Sequence, residues 1–295
     1  MRPEIGPARR ILPRPSTDLV QVSDDGSMPT VRTPGDDAGQ RPSVTAVASM
    51  LAGQKGDRRI SVCIPARNEA ATVGPIIRSI VAALVDVSGQ PPLVDEIIVV
   101  DDGSVDRTAE VARQAGARVV PADTPGGGKG QAMRAALHHS DGDLIVFVDA
   151  DVTNFESRFV TGLLGPLVAD DSVALVKGYY QRPLNGAPDG GGRVTELMAR
   201  PVIDLLFPHL ASIEQPLAGE TAAPRRVLEK IGLADGYAVE LALLIDVASS
   251  FGVESIAQVD LGVRAHRNRP LSELRPQATD ILQAALARST RSAPD

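Results

Sequence analysis

The chain has 295 residues, 43% hydrophobic and 3% aromatic, with a formal net charge of −7 and a single cysteine. That length suits one large domain or one and a half. The charge argues against a nucleic-acid partner, and one cysteine excludes an internal disulfide framework or a cysteine-based zinc site. No segment approaches the roughly 18 consecutive apolar residues that span a bilayer, and the arginine-bearing start lacks the apolar run of a signal peptide. A soluble, cytoplasmic protein with no membrane partner is expected, its core built mainly from Ala, Val, Leu and Ile.

Residues 1–42 are rich in Pro, Gly, Asp and Arg. Such a composition buries too little surface to offset ordering entropy, and a disordered arm is expected. Ser43 suits the cap of a short helix through Leu51, with Val44, Val47, Ala48 and Leu51 on its apolar face. From Arg59 the pattern alternates. Ile60-Ser61-Val62-Cys63-Ile64 reads as a strand stopped by Pro65, and 70–85 as a helix with Val73, Ile76, Ile77, Ile80 and Leu84 at helical spacing. Strand 96–100, a helix from Ser104, strand 117–120, a helix from the glycine-rich loop to His138 and strand 144–148 follow. This βαβαβαβ order predicts an α/β fold with a parallel sheet covered on both faces. Beyond Asp151 the spacing predicts strands at 173–177 and 179–182, a loop at 183–192, helices at 194–206 and 237–251, strands at 255–259 and 263–265, and a last helix at 277–287.

Two acidic pairs follow apolar strands: Asp101-Asp102 after Glu96-Ile97-Ile98-Val99-Val100, and Asp149-Ala150-Asp151 after Leu144-Ile145-Val146-Phe147-Val148. Buried charge is costly unless paired or bound to a cation, and open α/β sheets bind ligands at the C-terminal ends of their strands. Helix capping by Asp102 and Asp151 is the bland alternative. A metal-assisted nucleotide or phosphate site explains both pairs better, because a divalent cation takes hard oxygen ligands from carboxylates and phosphates alike.

Other residues point the same way. Gly126-Gly127-Gly128-Lys129-Gly130 lacks the spacing and hydroxyl of a Walker loop, but it places Lys129 at a helix N-terminus, where anions are favoured. His266 shares Val263-Arg264-Ala265-His266-Arg267-Asn268-Arg269 with three arginines; imidazole is a common metal ligand and arginine clamps phosphate or carboxylate. Lys177, Arg182 and Arg193 flank a glycine-rich loop as a second candidate anion site. Glu240, in an otherwise apolar helix, either pairs in the core or points into a pocket. His138 and His139 suit a helix C-terminus and are read as structural.

With Ile64-Pro65-Ala66-Arg67-Asn68-Glu69, Asp101-Asp102-Gly103-Ser104 and Asp149-Ala150-Asp151, the chain resembles the GT-A nucleotide-sugar glycosyltransferases. Gln181-Arg182-Pro183-Leu184, Gly190-Gly191-Gly192-Arg193-Val194-Thr195-Glu196, Gln215-Pro216-Leu217-Ala218-Gly219-Glu220, Gly236-Tyr237-Ala238-Val239-Glu240 and 263–270 narrow the resemblance, over about 43–287, to the actinobacterial glucosyl-3-phosphoglycerate synthase family. It implies a GT-A fold with a mostly parallel sheet, a Rossmann-like nucleotide-sugar half at 43–152, a mixed α/β acceptor half at 153–270 and a C-terminal helix and tail at 271–295. It also implies a homodimer that transfers glucose with retention from UDP-glucose to 3-phosphoglycerate, with Mg²⁺ or Mn²⁺. By matched position Asp151 and His266 would hold the metal, with Asp149 near the nucleotide sugar. Pro65, Ala66, Glu69, Asp102 and Lys129 would surround the nucleoside. Glu240 and the Leu217 backbone would take the catalytic, sugar-facing positions. Arg182, Gly192, Arg193, Thr195 and Asn268 would bind the acceptor. Three features depart from that pattern: Asp-Ala-Asp replaces Asp-Ser-Asp, Thr221 stands where an aromatic is common, and the loop before Gly190 is short. A GDP-mannose donor and a non-catalytic nucleotide-sugar-binding role therefore stay open.

Overall fold

The structure, a computed structural model, describes residues 30–31, 42–87, 89–182, 192–265 and 271–290. In chain order its elements are β1 (Thr30–Val31), α1 (Val44–Gln54), β2 (Ile60–Ala66), α2 (Val73–Ile80), β3 (Glu96–Asp101), α3 (Thr108–Gln114), β4 (Arg118–Pro121), α4 (Lys129–His139) and β5 (Leu144–Phe147). There follow α5 (Arg158–Ala169), β6 (Leu175–Gln181), α6 (Arg200–Leu206), β7 (Thr221–Pro224), α7 (Arg225–Ile231), α8 (Val239–Phe251), β8 (Ile256–Val263) and α9 (Leu271–Ser289). One sheet holds all the strands in the order β1-β8-β6-β7-β5-β2-β3-β4. Every neighbouring pair is parallel except those of β7, which runs antiparallel to β5 and β6.

The apolar strands read as they do because both sheet faces are covered. Ile60, Val62, Ile64 and Ala66 of β2 pack with residues of α1, α2 and α5, while Cys63 faces the other way, against α4 and α8. Burial pushes the Cys63 thiol up to about 12, with Glu96 adding to the effect, so it behaves as a small apolar core residue. Among the described residues no helix is long and apolar enough to cross a membrane.

Several expectations change. Pro65 does not stop β2: pairing with β5 ends at Cys63, but pairing with β3 runs on to Ala66. A proline is tolerated there because its missing N–H falls past the end of the β5 ladder. The sheet is mostly parallel, as the resemblance implies, with β7 entering antiparallel between β5 and β6 as the one exception. The strands expected at 173–177 and 179–182 are the single strand β6, and 255–259 joins 263 in β8. Helices α5 and α7 have no counterpart in the sequence reading; in α5 the apolar residues Phe159, Val160, Leu163, Leu164 and Leu167 are interrupted by Gly162, Gly165 and Pro166, which are poor helix formers. The helix expected from Ser104 starts at Thr108, because Asp101, Asn68 and Asp106 take the intervening N–H groups of Ser104, Val105 and Thr108 at 2.8–3.0 Å. Thr30–Val31, inside the arm expected to be disordered, pair with Gln258 and Val259, an extended β-branched pair satisfying the outer edge of β8. The rest of 1–41 lies outside the described residues.

Candidate active site

The sheet topology brings the chemistry to one edge. Parallel strands β2, β3, β5, β6 and β8 all deliver their C-terminal ends there: Arg67–Glu69, Asp102, Asp149–Asp151, Arg182 and Arg264. Because β7 is antiparallel, the residues that precede it, Leu217–Glu220, arrive at the same edge. They border a cleft of about 680 Å³, a size typical of small-molecule sites. Pro65, Ala66, Glu69, Asp102, Lys129, Asp149 and Asp151 line it. So do Leu217 and Glu240, and, from the second half, Arg182, Gly192, Arg193 and Thr195. His266 and Asn268 lie outside the described residues.

The two acidic pairs do different work. Asp102 accepts hydrogen bonds from the backbone N–H groups of Gly126, Gly127 and Gly128 at 2.8, 3.1 and 3.1 Å. It therefore caps no following helix; it holds the glycine-rich loop against the end of β3 and thereby sets the start of α4. Gly128 adopts φ 93°, which a side chain would resist.

Asp149 is clamped. Its Oδ1 accepts from Lys129 Nζ, and its Oδ2 from Arg264 Nη2 at 2.7 Å. Burial alone would raise its carboxyl, but Lys129 and Arg264 outweigh that and hold it well below the usual carboxylate range. Lys129 Nζ also lies 2.7 Å from Glu240 Oε1. Burial works against the ammonium, yet Asp149 and Glu240 together keep it charged beyond the ordinary lysine range. Glu240 thus answers both alternatives at once: it is buried and paired, and it borders the cleft.

Arg264, next to no predicted role, is the hub that residue-type reasoning missed. It bonds Asp149, reaches Asp151 Oδ1 at 3.0 Å and donates to the Tyr180 hydroxyl at 3.0 Å. Its Nε lies 3.2 Å from Glu220 Oε1 but out of line for a hydrogen bond, so neither Glu220 oxygen accepts one. Glu220 is 0% exposed; burial raises its carboxyl, with Arg264 opposing the shift. Position 264 sits two residues before His266 in the basic run, which was the available signal.

Lys177 corrects the proposed second anion site. It points into the interior, donating to the Ala218 carbonyl at 2.6 Å, and burial pulls it down to about 8 against the opposing pull of Glu240. It anchors the segment carrying Leu217 instead of meeting a ligand. Arg182 and Arg193 do border the cleft. His138 and His139 meet edge-on at the end of α4, with ring centroids 5.0 Å apart, and do not line it.

A divalent cation fits the donor set at one position. Both Asp149 oxygens already face cationic side chains, whereas Asp151, its side chain 24% exposed, receives Arg264 on Oδ1 alone among the described residues. No three His, Cys, Asp or Glu side chains among the described residues form a complete cage. A cation here would take Asp151 and complete its shell from ligand oxygens, as hard cations do with phosphates.

Residues 61–200 match the model of the family described as glycosyl transferase family 2. The chain is 46% identical over 263 residues to a glucosyl-3-phosphoglycerate synthase of Mycolicibacterium smegmatis, covering 86% of this chain and 84% of that protein. It is 42% identical to the enzyme of the same name from Petrotoga mobilis, covering 80% and 74%. Among solved structures it is similar to the Mycobacterium tuberculosis glucosyl-3-phosphoglycerate synthase bound to Mn²⁺, UDP-glucose and phosphoglyceric acid, with TM-score 0.78 and 42% identity over 91% of this chain and 90% of that one.

Proposed function

Because the chain belongs to the glucosyl-3-phosphoglycerate synthase family, we propose that it transfers glucose with retention from UDP-glucose to 3-phosphoglycerate, giving glucosyl-3-phosphoglycerate. The observation that carries this reading is the meeting, in one cleft, of Asp151, the Lys129–Asp149–Glu240 cluster and the basic acceptor-side pair Arg182 and Arg193. One end suits a nucleoside diphosphate sugar, and the other suits a small acid with two anionic groups.

On this reading Pro65, Ala66 and Glu69 border the nucleoside, with Asp102 fixing the loop that closes over it. Asp151 and His266 would hold Mg²⁺ or Mn²⁺, which when bound neutralises charge on the departing UDP. Lys129 holds Asp149 and Glu240 in place, so that their oxygens accept from sugar hydroxyls. The Leu217 backbone, tethered by Lys177 through the next carbonyl, presents a fixed dipole to the reacting sugar. Arg182, Gly192, Arg193, Thr195 and Asn268 receive the phosphate and carboxylate of the acceptor and orient its hydroxyl. The same reading divides the chain into a nucleotide half at 43–152 and an acceptor half at 153–270, and gives a cytoplasmic homodimer.

Incubation with UDP-glucose, Mg²⁺ and 3-phosphoglycerate, with UDP release and glucosyl-3-phosphoglycerate as readouts, tests it. Turnover only with GDP-mannose would reassign the donor. Binding of both ligands without turnover from any nucleotide sugar would make the chain a non-catalytic binding protein.

A further inference from the structure

Behind the cleft, the basic residues that end β6 and β8 meet on one phenol. Tyr180 is 3% exposed, and its hydroxyl accepts from Arg182 Nη2 at 2.7 Å and from Arg264 Nη1 at 3.0 Å. Both guanidinium carbons also lie over its ring, 4.9 and 5.2 Å from the centroid. Two like charges held this close repel unless an acceptor or a π face lies between them, and the phenol supplies both. The Nε atoms of Arg182 and Arg264 are buried without hydrogen-bond acceptors. Among the described residues, Arg182 donates to Tyr180 alone.

The two arginines lead to opposite sides of the site. Arg264 continues to Asp149 and Asp151, 2.7 and 3.0 Å away. Arg182 stands beside Gly192, at the entrance to the segment carrying Arg193 and Thr195. A ligand that draws one guanidinium forward shifts the hydroxyl it shares with the other.

We propose that Tyr180 is a positioning residue that couples the acceptor side of the cleft to the donor-diphosphate side, by holding Arg182 and Arg264 on one shared oxygen. The inference rests on the donor and acceptor sides assigned above. Such coupling is reciprocal: UDP with Mg²⁺ changes the affinity for 3-phosphoglycerate by the same factor as the reverse.

Tyr180→Phe keeps the ring and deletes only the shared acceptor. Calorimetric titration of 3-phosphoglycerate into the full chain, with and without saturating UDP and Mg²⁺, gives the coupling factor. In the wild type it should be about five-fold or more, the lower range of measured couplings. In Tyr180→Phe it should fall towards one, and 3-phosphoglycerate should bind about ten-fold more weakly, as for loss of a hydrogen bond to a charged group. Arg182→Gln should bind 3-phosphoglycerate weakly, and adding Tyr180→Phe should weaken it little further. A merely structural tyrosine would lower the melting temperature and leave the coupling factor intact; that result overturns the inference, as does a wild-type factor of one. A wild type that binds neither ligand removes the substrate assignment itself, and intact wild-type binding with an unchanged factor in Tyr180→Phe removes only the coupling.

Discussion

Replacing Arg264 by Met tests the charge network most severely. The side chain is 4% exposed and its one positive charge lies against three carboxyl groups, Asp149 at 2.7 Å, Asp151 at 3.0 Å and Glu220 at 3.2 Å. Methionine matches much of its length and keeps the packing, so the change is chiefly one of charge. Asp149 retains Lys129 and Asp151 retains access to solvent, but Glu220 is left fully buried without the cation 3.2 Å away, keeping only the weaker pull of Lys129. Removing one partner of a buried pair costs about 3–5 kcal/mol, against a total stability of roughly 5–15 kcal/mol for a typical domain. The loss should depend on pH. The folded-state pKa of Glu220 is raised above its unfolded value, so the native state holds the extra proton; stability from this group is complete below the unfolded pKa and is lost as pH rises through the folded one. Urea denaturation of Arg264→Met should therefore show a larger deficit at pH 8 than at pH 5.5. Arg264→Met with Glu220→Gln should recover much of the deficit at pH 8. A deficit equal at both pH values and not relieved by Glu220→Gln would refute the role given to Glu220 and leave the loss with the hydrogen bonds to Asp149, Asp151 and Tyr180.

Arg193→Ala should raise the acceptor KM by the equivalent of about 2–4 kcal/mol while donor affinity stays nearly constant, and Arg193→Lys should recover only part of it, for lack of bidentate geometry; steady-state kinetics with each substrate varied in turn measures both. Lys177 has a folded pKa pulled down to about 8 by burial, so the native state binds fewer protons than the unfolded chain from there up to the ordinary lysine value. Stability should rise with pH across that window, and Lys177→Met should flatten the rise, by on the order of 3 kcal/mol at 1.36 kcal/mol per pKa unit; denaturation of both proteins from pH 7.5 to 10 is the check. Asp151→Asn should weaken calorimetric Mn²⁺ binding in the presence of UDP with little change in melting temperature. Asp149→Asn should lower that temperature, since it strips Lys129 and Arg264 of a shared counter-ion.

The nucleotide half was legible because its signals are local. Each strand is a short apolar run, each helix opens within a few residues of a Gly, Ser or Asp, and each acidic pair sits where a strand must end. The second half resists the same treatment for a definable reason. Strand β7 is Thr221-Ala222-Ala223-Pro224, a sequence with weak β propensity that becomes a strand because β5 and β6 flank it on both sides. Its antiparallel direction is a tertiary fact, and it is this direction that carries Leu217 and Glu220 to the ligand-binding edge. Helix α5 hid for a different reason, since Gly162, Gly165 and Pro166 break its apolar run with residues that ordinarily mark turns.

Within the site, residue type and spacing found the groups that line the cleft but not the groups that hold them. Asp102 and Asp149 stand in the same local context, an acid just past a buried strand, yet one is occupied by three backbone N–H groups and the other by two cationic side chains. Only the partners differ, and those partners come from 20 to 115 residues away. Gly219 shows the same dependence: a Cβ there would fall on the Asp149 carboxylate and the Lys129 ammonium and displace them, so glycine makes room for an ion pair that no short window of sequence contains. An acid after a strand thus predicts a place. Which cation comes to it, and whether an oxygen is left over for a metal, is decided by the long-range packing that makes Asp149 a closed group and Asp151 an open one.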